Sequence, residues 1–206
     1  MMGATAGRIH RGRKFDQVVE GAREVFLQQG FDGANVDDIA CSAGVSKATL
    51  YNYFPDKRLL FVEVATRECR RQAENVPSVI DSARPPSEVL TETAERMMCL
   101  FLSNIWHAMF RIAVVEAERF PELARSFWNN GPTRWHETLV AYLRAATERG
   151  ELAIEDYDLA ADQFTELCKA DLYPRMQMGL EHSFTRAERR RVARGAVEMF
   201  LTRYGT

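Results

Sequence analysis

Cysteine is scarce and scattered. Its four positions, Cys41, Cys69, Cys99 and Cys168, form no Cys-x-x-Cys pair, so neither a zinc site nor a disulfide framework is indicated. The four histidines, His10, His107, His136 and His182, show no His-x-x-x-His or His-Glu-x-x-His run, and no metal or other cofactor is expected. There is no Gly-x-Gly-x-x-Gly loop and no constellation of base, nucleophile and oxyanion donor, which argues against an enzyme. Strand-like alternation of apolar and polar residues is missing, and no low-complexity tract or internal repeat stands out. Charge of one sign is missing too: the formal net charge is −2, so the whole-protein balance gives no support to nucleic-acid binding. The most hydrophobic region, Met97 to Val115, is broken by Ser103, Asn104, His107 and Arg111. Met1 to Lys14 lacks the apolar core of a signal peptide, so a cytoplasmic protein with no membrane partner is expected.

What is present is helical punctuation. The 206 residues are 46% hydrophobic and 27% charged, enough for a packed core throughout. Asp16 is a cap for a first helix carrying Val18, Val19, Ala22, Val25 and Phe26, which Gly30 should end. Pro55 and Asp56 open a fourth helix running to about Asn75. Beyond the break at Pro77 and Arg84-Pro85-Pro86, Ser87 caps a fifth through Leu102, and a sixth covers Asn104 to Arg119. Pro121 starts a seventh, bent or interrupted at Gly131-Pro132 and stopped by Gly150. An eighth begins near Asp156 with a kink at Pro174, and Thr185-Arg-Ala-Glu188 is a capping box for a ninth. The reading is an all-α protein of about nine helices. A basic arm over 1–14 and a reading head over 15–55 lead to a connecting helix over 56–76 and a larger body over 77–206.

The densest signal lies between Asn35 and Lys57. Asn35 caps one short helix, Val36, Ile39, Ala40 and Ala43 share its face, Gly44 supplies the turn, and Ser46 caps a second helix over Lys47 to Phe54. This is a helix-turn-helix pattern. Leu50 and Phe54 face inward, leaving Lys47, Ala48, Thr49, Tyr51, Asn52 and Tyr53 on the outer arc. Lysine, threonine and asparagine suit base edges and tyrosines suit phosphates, so a major groove fits this face; the other reading is a solvated hairpin. Lys57, beside the end of the second helix, is a phosphate candidate. Arg8, Arg11, Arg13 and Lys14 precede the first acid, Asp16, and can follow a phosphate backbone or stay solvated. Cys41 falls inside the motif, where an idle thiol is the simpler reading than a redox switch.

Gly44-Val-Ser-Lys-Ala-Thr-Leu-Tyr-Asn-Tyr-Phe54, followed by Asp56-Lys-Arg-Leu-Leu-Phe61, resembles the DNA-binding domain of the tetracycline-repressor (TetR) family. The likeness covers Phe15 to Val64, and continues more faintly over Phe110 to Pro132, through the run Ala117-Glu-Arg-Phe-Pro-Glu-Leu-Ala124. Val36 departs from the pattern: many members carry a phosphate-bonding threonine there. The resemblance implies an all-helical, dimeric repressor of a near-palindromic double-stranded operator, released by a small-molecule inducer. An architectural DNA-binding protein without an inducer is the alternative. The implied pocket draws on Phe101, Trp106, Phe110, Trp128, Trp135 and Phe164, with polar contacts from Asn104, His107, Arg111 and Asp171; plain core is the other use of these residues.

One reading head contacts too few base pairs to select a site, which calls for a homodimer. Its dry face is expected on Val192, Ala193, Ala196, Val197, Phe200, Leu201 and Tyr204, meeting Phe164, Leu167 and Leu172.

Overall fold

The computed structural model describes residues 12–74, 84–118 and 120–206. Arg8, Arg11 and the break around Pro77 lie outside them. The described residues hold eleven helices and one isolated bridge, between Leu152 and Gly205, but no strand. The helices are α1 (Arg13–Gly33), α2 (Val36–Ser42), α3 (Lys47–Tyr53), α4 (Lys57–Glu74), α5 (Pro86–Phe101), α6 (Asn104–Val115), α7 (Pro121–Asn130), α8 (Pro132–Glu148), α9 (Tyr157–Leu167), α10 (Leu172–Gln177) and α11 (Arg186–Tyr204). They divide into two compact units, with the boundary inside α4 between Arg67 and Glu68.

In the first unit, α1 buries Phe15, Val18, Val19, Ala22, Val25 and Phe26, the residues whose helical spacing marks them in the sequence. It starts at Arg13 behind Gly12, so Asp16 is not its cap. That carboxylate instead receives Arg67 Nη2 at 2.9 Å, while the Arg67 guanidinium lies over the Phe15 ring. Gly30, at φ 70°, ends the regular helix, and a last turn carries on to Gly33. Ile39, Leu50, Phe54, Leu60 and Phe61 complete the core, with Phe54 stacked on Phe15 at 5.2 Å and Phe61 edge-on to Phe26 at 4.9 Å.

Two contacts fix this unit. At Gly21 a Cβ would fall 2.4 Å from Ala43 N, so α1 meets the end of α2 backbone against backbone. Lys57 Nζ donates to the carbonyls of Phe31 and Ala34, each at 2.8 Å, and sits 4.5 Å from the Phe31 ring centre. One ammonium thus satisfies acceptors in the last turn of α1 and in the linker to α2.

The second unit is built on α11 against α5 and α9, with α8 packed on α7 and α9. Leu90, Met97, Met98, Leu139, Tyr142, Leu143, Phe164 and Phe200 are almost fully buried there. The Thr185 capping box forms in full: Glu188 N donates to Thr185 Oγ1 at 3.2 Å and Thr185 N to Glu188 Oε2 at 2.8 Å. These bonds from Thr185, side chain first and backbone second, hold the Glu188 carboxyl below its ordinary range. Below that range the carboxyl protonates, so this cap weakens as pH falls.

Several boundaries differ from the sequence reading. Ser87 lies inside α5, because Pro86 already occupies the first turn, where a missing N–H costs nothing. The α6 helix stops at Val115 rather than Arg119. Pro174 makes no kink. The chain breaks earlier, at Asp171, whose φ of 65° is strained for a residue with a Cβ, and Pro174 falls in the first turns of α10.

Gly21→Ala should lower unfolding stability by about 1–3 kcal/mol in urea denaturation, because the added methyl overpacks a backbone contact. An unobstructed helical glycine would give the opposite sign. Lys57→Met should lower stability without any DNA present by about 1–3 kcal/mol, since it leaves two part-buried carbonyls unpaired. A residue that served only phosphate binding would leave the melting curve of the free protein unmoved.

Candidate functional site

Local chemistry shapes the outer surface of the first unit. Asn35 Oδ1 accepts from Asp38 N at 2.8 Å and starts α2; Ser46 Oγ accepts from Thr49 N at 3.1 Å and starts α3. Between them Gly44 takes φ 61°, which turns the chain without a Cβ clash. Leu50 and Phe54 point into the core, so Lys47, Ala48, Tyr51 and Asn52 stand exposed on one arc of α3. Thr49 is half-buried and its hydroxyl shares a hydrogen with Ser46 Oγ at 2.9 Å. Tyr53 is also half-buried, edge-on to Phe15 at 5.8 Å. Lys47 is paired with Asp37, while Arg13 and Lys14 are exposed in the first turn of α1. Two of the three Lys57 N–H donors are occupied by the Phe31 and Ala34 carbonyls, leaving one for an outside partner.

The second unit contains a cavity of about 300 Å³ lined by residues of α5 to α10. All three tryptophans of the chain, Trp106, Trp128 and Trp135, reach it, with Phe101 and Phe110. Phe101 and Trp106 lie 5.3 Å apart, and Trp106 and Phe127 5.1 Å, as tilted rings. Trp106 and Trp135 are buried, whereas Trp128 is 60% exposed and marks the mouth.

Five of the ten pocket candidates from the sequence are not in this lining. Phe164 is core, edge-on to Phe200. Asn104 is exposed on α6. His107 faces Arg111 and His182; desolvation first, then those charges, press its pKa below the ordinary value. Asp171 receives Arg175 at 3.4 Å and Arg191 at 3.3 Å, which ties the strained turn before α10.

The cavity draws its polar groups elsewhere, from Thr133, His136, Asp162, Thr165, Glu166, Lys169 and Tyr173. Asp162, Thr165, Glu166 and Lys169 recur at helical spacing, opposite the apolar stripe of α9, and that polar stripe is the signal that could have found them. Lys169 Nζ pairs with Glu166 at 2.6 Å, and His136 Nε2 lies 3.5 Å from Asp162. Burial pushes the Tyr173 phenol up, partly offset by the nearby Trp106 indole.

The expected dimer stripe is also reassigned. Phe164, Leu172, Val192, Ala193, Ala196, Val197 and Phe200 are all buried within the chain, because α11 spends this face on α5 and α9. Leu167, Leu201 and Tyr204 are half-buried, and Tyr204 Oη donates to Gln163 at 2.6 Å. Leu159 and Met199 remain more than half exposed on the outer faces of α9 and α11.

Among the described residues no group of three or more His, Cys, Asp or Glu side chains could hold a metal, and no single helix is long and apolar enough to cross a membrane.

Comparison with known proteins matches residues 18–64 to the family of bacterial regulatory proteins of the tetR type. Residues 88–206 match the C-terminal domain of AefR-like transcriptional repressors. The transcriptional activator FasR of Mycolicibacterium smegmatis is 31% identical over 90 residues, 44% of this chain; the match spans 38% of FasR, well under half of that relative's length. Two solved structures are similar over nearly their whole length. A TetR-family regulator from Mesorhizobium loti superposes with a TM-score of 0.82 at 27% identity, covering 94% of this chain and 98% of that one. The flavonoid-responsive regulator FrrA gives a TM-score of 0.65 at 34% identity, again covering 94% and 98%. With a helix-turn-helix head, a helical body and family matches over both, the chain belongs to the TetR family of DNA-binding transcriptional regulators and is not an enzyme.

Proposed function

We propose that this regulator is a cytoplasmic homodimeric repressor that leaves a near-palindromic operator when a mostly apolar small molecule enters the body of each protomer. The observation that carries the reading is the pairing, in one chain, of an exposed polar arc on α3 with an aromatic-walled cavity in the second unit. The match of 88–206 to a repressor domain supports repression, and the flavonoid response of FrrA supports an aromatic effector.

In this reading Lys47, Thr49 and Asn52 read base edges, Ala48 lies against the bases, and Tyr51, Tyr53, Arg13, Lys14 and the spare donor of Lys57 hold phosphates. DNA displaces Asp37 from Lys47, an exchange of one exposed ion pair for another that costs little. The dimer forms through the outer faces of α9 and α11, around Leu159, Leu167, Met199 and Leu201. Effector binding acts through α4: within the second unit Arg70 Nη2 donates to Asn130 Oδ1 at 2.8 Å, and Asn130 closes the helix that carries Trp128.

Selection from random duplexes followed by fluorescence anisotropy tests the whole reading. The selected site should be two-fold symmetric, with half-sites about 34 Å apart. Asn52→Ala should relax preference at one base pair by about 1–3 kcal/mol. A flavonoid that binds the protein should weaken operator binding roughly 5- to 150-fold, and operator should weaken flavonoid binding by the same factor. Operator affinity indifferent to every bound aromatic would leave an architectural protein instead. Arg70→Ala should keep operator affinity and aromatic binding while shrinking the coupling between them; an unchanged coupling factor would remove α4 from the mechanism.

A further inference from the structure

We infer that the groove between α5 and α11 is a binding site for a phosphate monoester, held by arginines whose charge the chain itself leaves largely unanswered. The groove shares no lining residue with the aromatic cavity, so this inference is independent of the effector reading.

The first observation is an excess of charge. Arg186, Arg189, Arg190, Arg191 and Arg194 fall within nine residues at the start of α11. That placement is unfavourable twice over: the start of a helix is the positive end of its dipole, and Arg186, Arg190 and Arg194 follow one another at four-residue spacing. The nearby acids do not relieve it. Glu188 is taken by Thr185, and Asp171 receives Arg191 at 3.3 Å while also holding Arg175. Glu95 approaches Arg190 only to 3.7 Å, and Arg189 Nη1 donates to the weakly accepting sulfur of Cys99, also at 3.7 Å. Among the described residues no acid pairs with Arg186 or Arg194.

The second observation is shape. The groove holds about 700 Å³, within the range of small-molecule sites, and a pocket of about 120 Å³ shares Glu95 and Arg190 with it. Arg190, Arg191 and Arg194 line the groove, while Arg186 and Arg189 line the pocket. Ala193 and Val197, both buried, give the groove an apolar floor.

The third observation is the match of ligand to lining. Glu95 and Glu198 are outnumbered by the arginines, so an anion is favoured over a cation. A carboxylate answers one guanidinium fork, whereas a phosphate monoester is close to a dianion and brings three acceptor oxygens to several. Its ester arm finds the floor of Ala193 and Val197.

Titration calorimetry of the full chain with hexyl phosphate, hexyl sulfate and hexanoate tests this, at about 0.15 M salt so that long-range attraction is screened. The phosphate should bind about tenfold or more tightly than either monoanion. Arg190→Gln with Arg194→Gln should weaken the phosphate about tenfold, whereas Arg125→Gln with Arg134→Gln removes the same charge elsewhere and should leave it unchanged. Arg194→Gln alone has no acid partner to lose, and should cost about threefold. Phosphatidylcholine vesicles containing phosphatidate separate two sources of the same chemistry. Binding of hexyl phosphate without vesicle capture assigns a soluble ester; vesicle capture abolished by the Arg190 and Arg194 changes assigns a lipid headgroup. Equal binding of the three anions, binding of none, or a phosphate affinity indifferent to Arg190 and Arg194 would overturn the inference.

Discussion

The contact of α1 with the end of α2 at Gly21 sets the geometry of everything the head presents. A methyl group there would overlap the backbone of Ala43, and Ala43 immediately precedes the Gly44 turn that launches α3. The direction of α3 is therefore fixed at its start by a backbone contact that has no side chain to give way. Its far end is fixed by Phe54 on Phe15, and the linker behind it by Lys57 on the Phe31 and Ala34 carbonyls. With three such constraints on so short a unit, the arc of Lys47, Ala48, Tyr51 and Asn52 is held before DNA arrives. Little ordering entropy is left to lose on binding.

A second glycine does similar work in the body. At Gly131 a Cβ would come within 3.2 Å of Phe127 O and 3.5 Å of the Trp106 ring. Because that position is bare, Trp106 lies close against the break between α7 and α8, and the two helices part there. Trp128 and Trp135 stand on either side of the break and both reach the cavity. The sequence Gly131-Pro132 thus does more than end a helix: it opens the corner in which three indoles line one space.

Features set by neighbours in the chain were legible in the sequence. Asn35, Ser46 and Thr185 cap helices because a side chain of the right length sits one turn from orphan N–H groups, and Gly44 turns because only its own backbone is involved. Features set by distant partners were not legible. Asp16 has the chemistry of a cap but finds Arg67, and Lys57 has the chemistry of a phosphate ligand but is largely spent on the protein. The apolar stripe of α11 announces burial without saying against what, and the answer is α5 and α9 of the same chain. Gly21, in mid-helix, reads only as a poor helix former until Ala43 is seen beside it. The cavity was half legible: its rings stood out by size, whereas Glu166, Lys169 and Tyr173 gain meaning only from the rings they face.

Under the proposed mechanism the two arginines of α4 explain why a body-borne signal need not dissipate. Arg67 is tied to Asp16 and Glu63 within the first unit, and Arg70 to Asn130 within the second. They stand three residues apart on one uninterrupted helix, so less than one turn separates the two anchors. A helix of that length cannot stretch, and its hydrogen bonds resist bending without a proline, a glycine or an inserted group; none of these lies between Arg67 and Arg70. In that mechanism a displacement at the effector site is felt first at the Arg70–Asn130 bond, within the second unit. Arg70 is exposed and Arg67 half-buried, which limits each bond to a modest worth, so the coupling this device can carry is bounded by the weaker anchor rather than by the affinity of the effector.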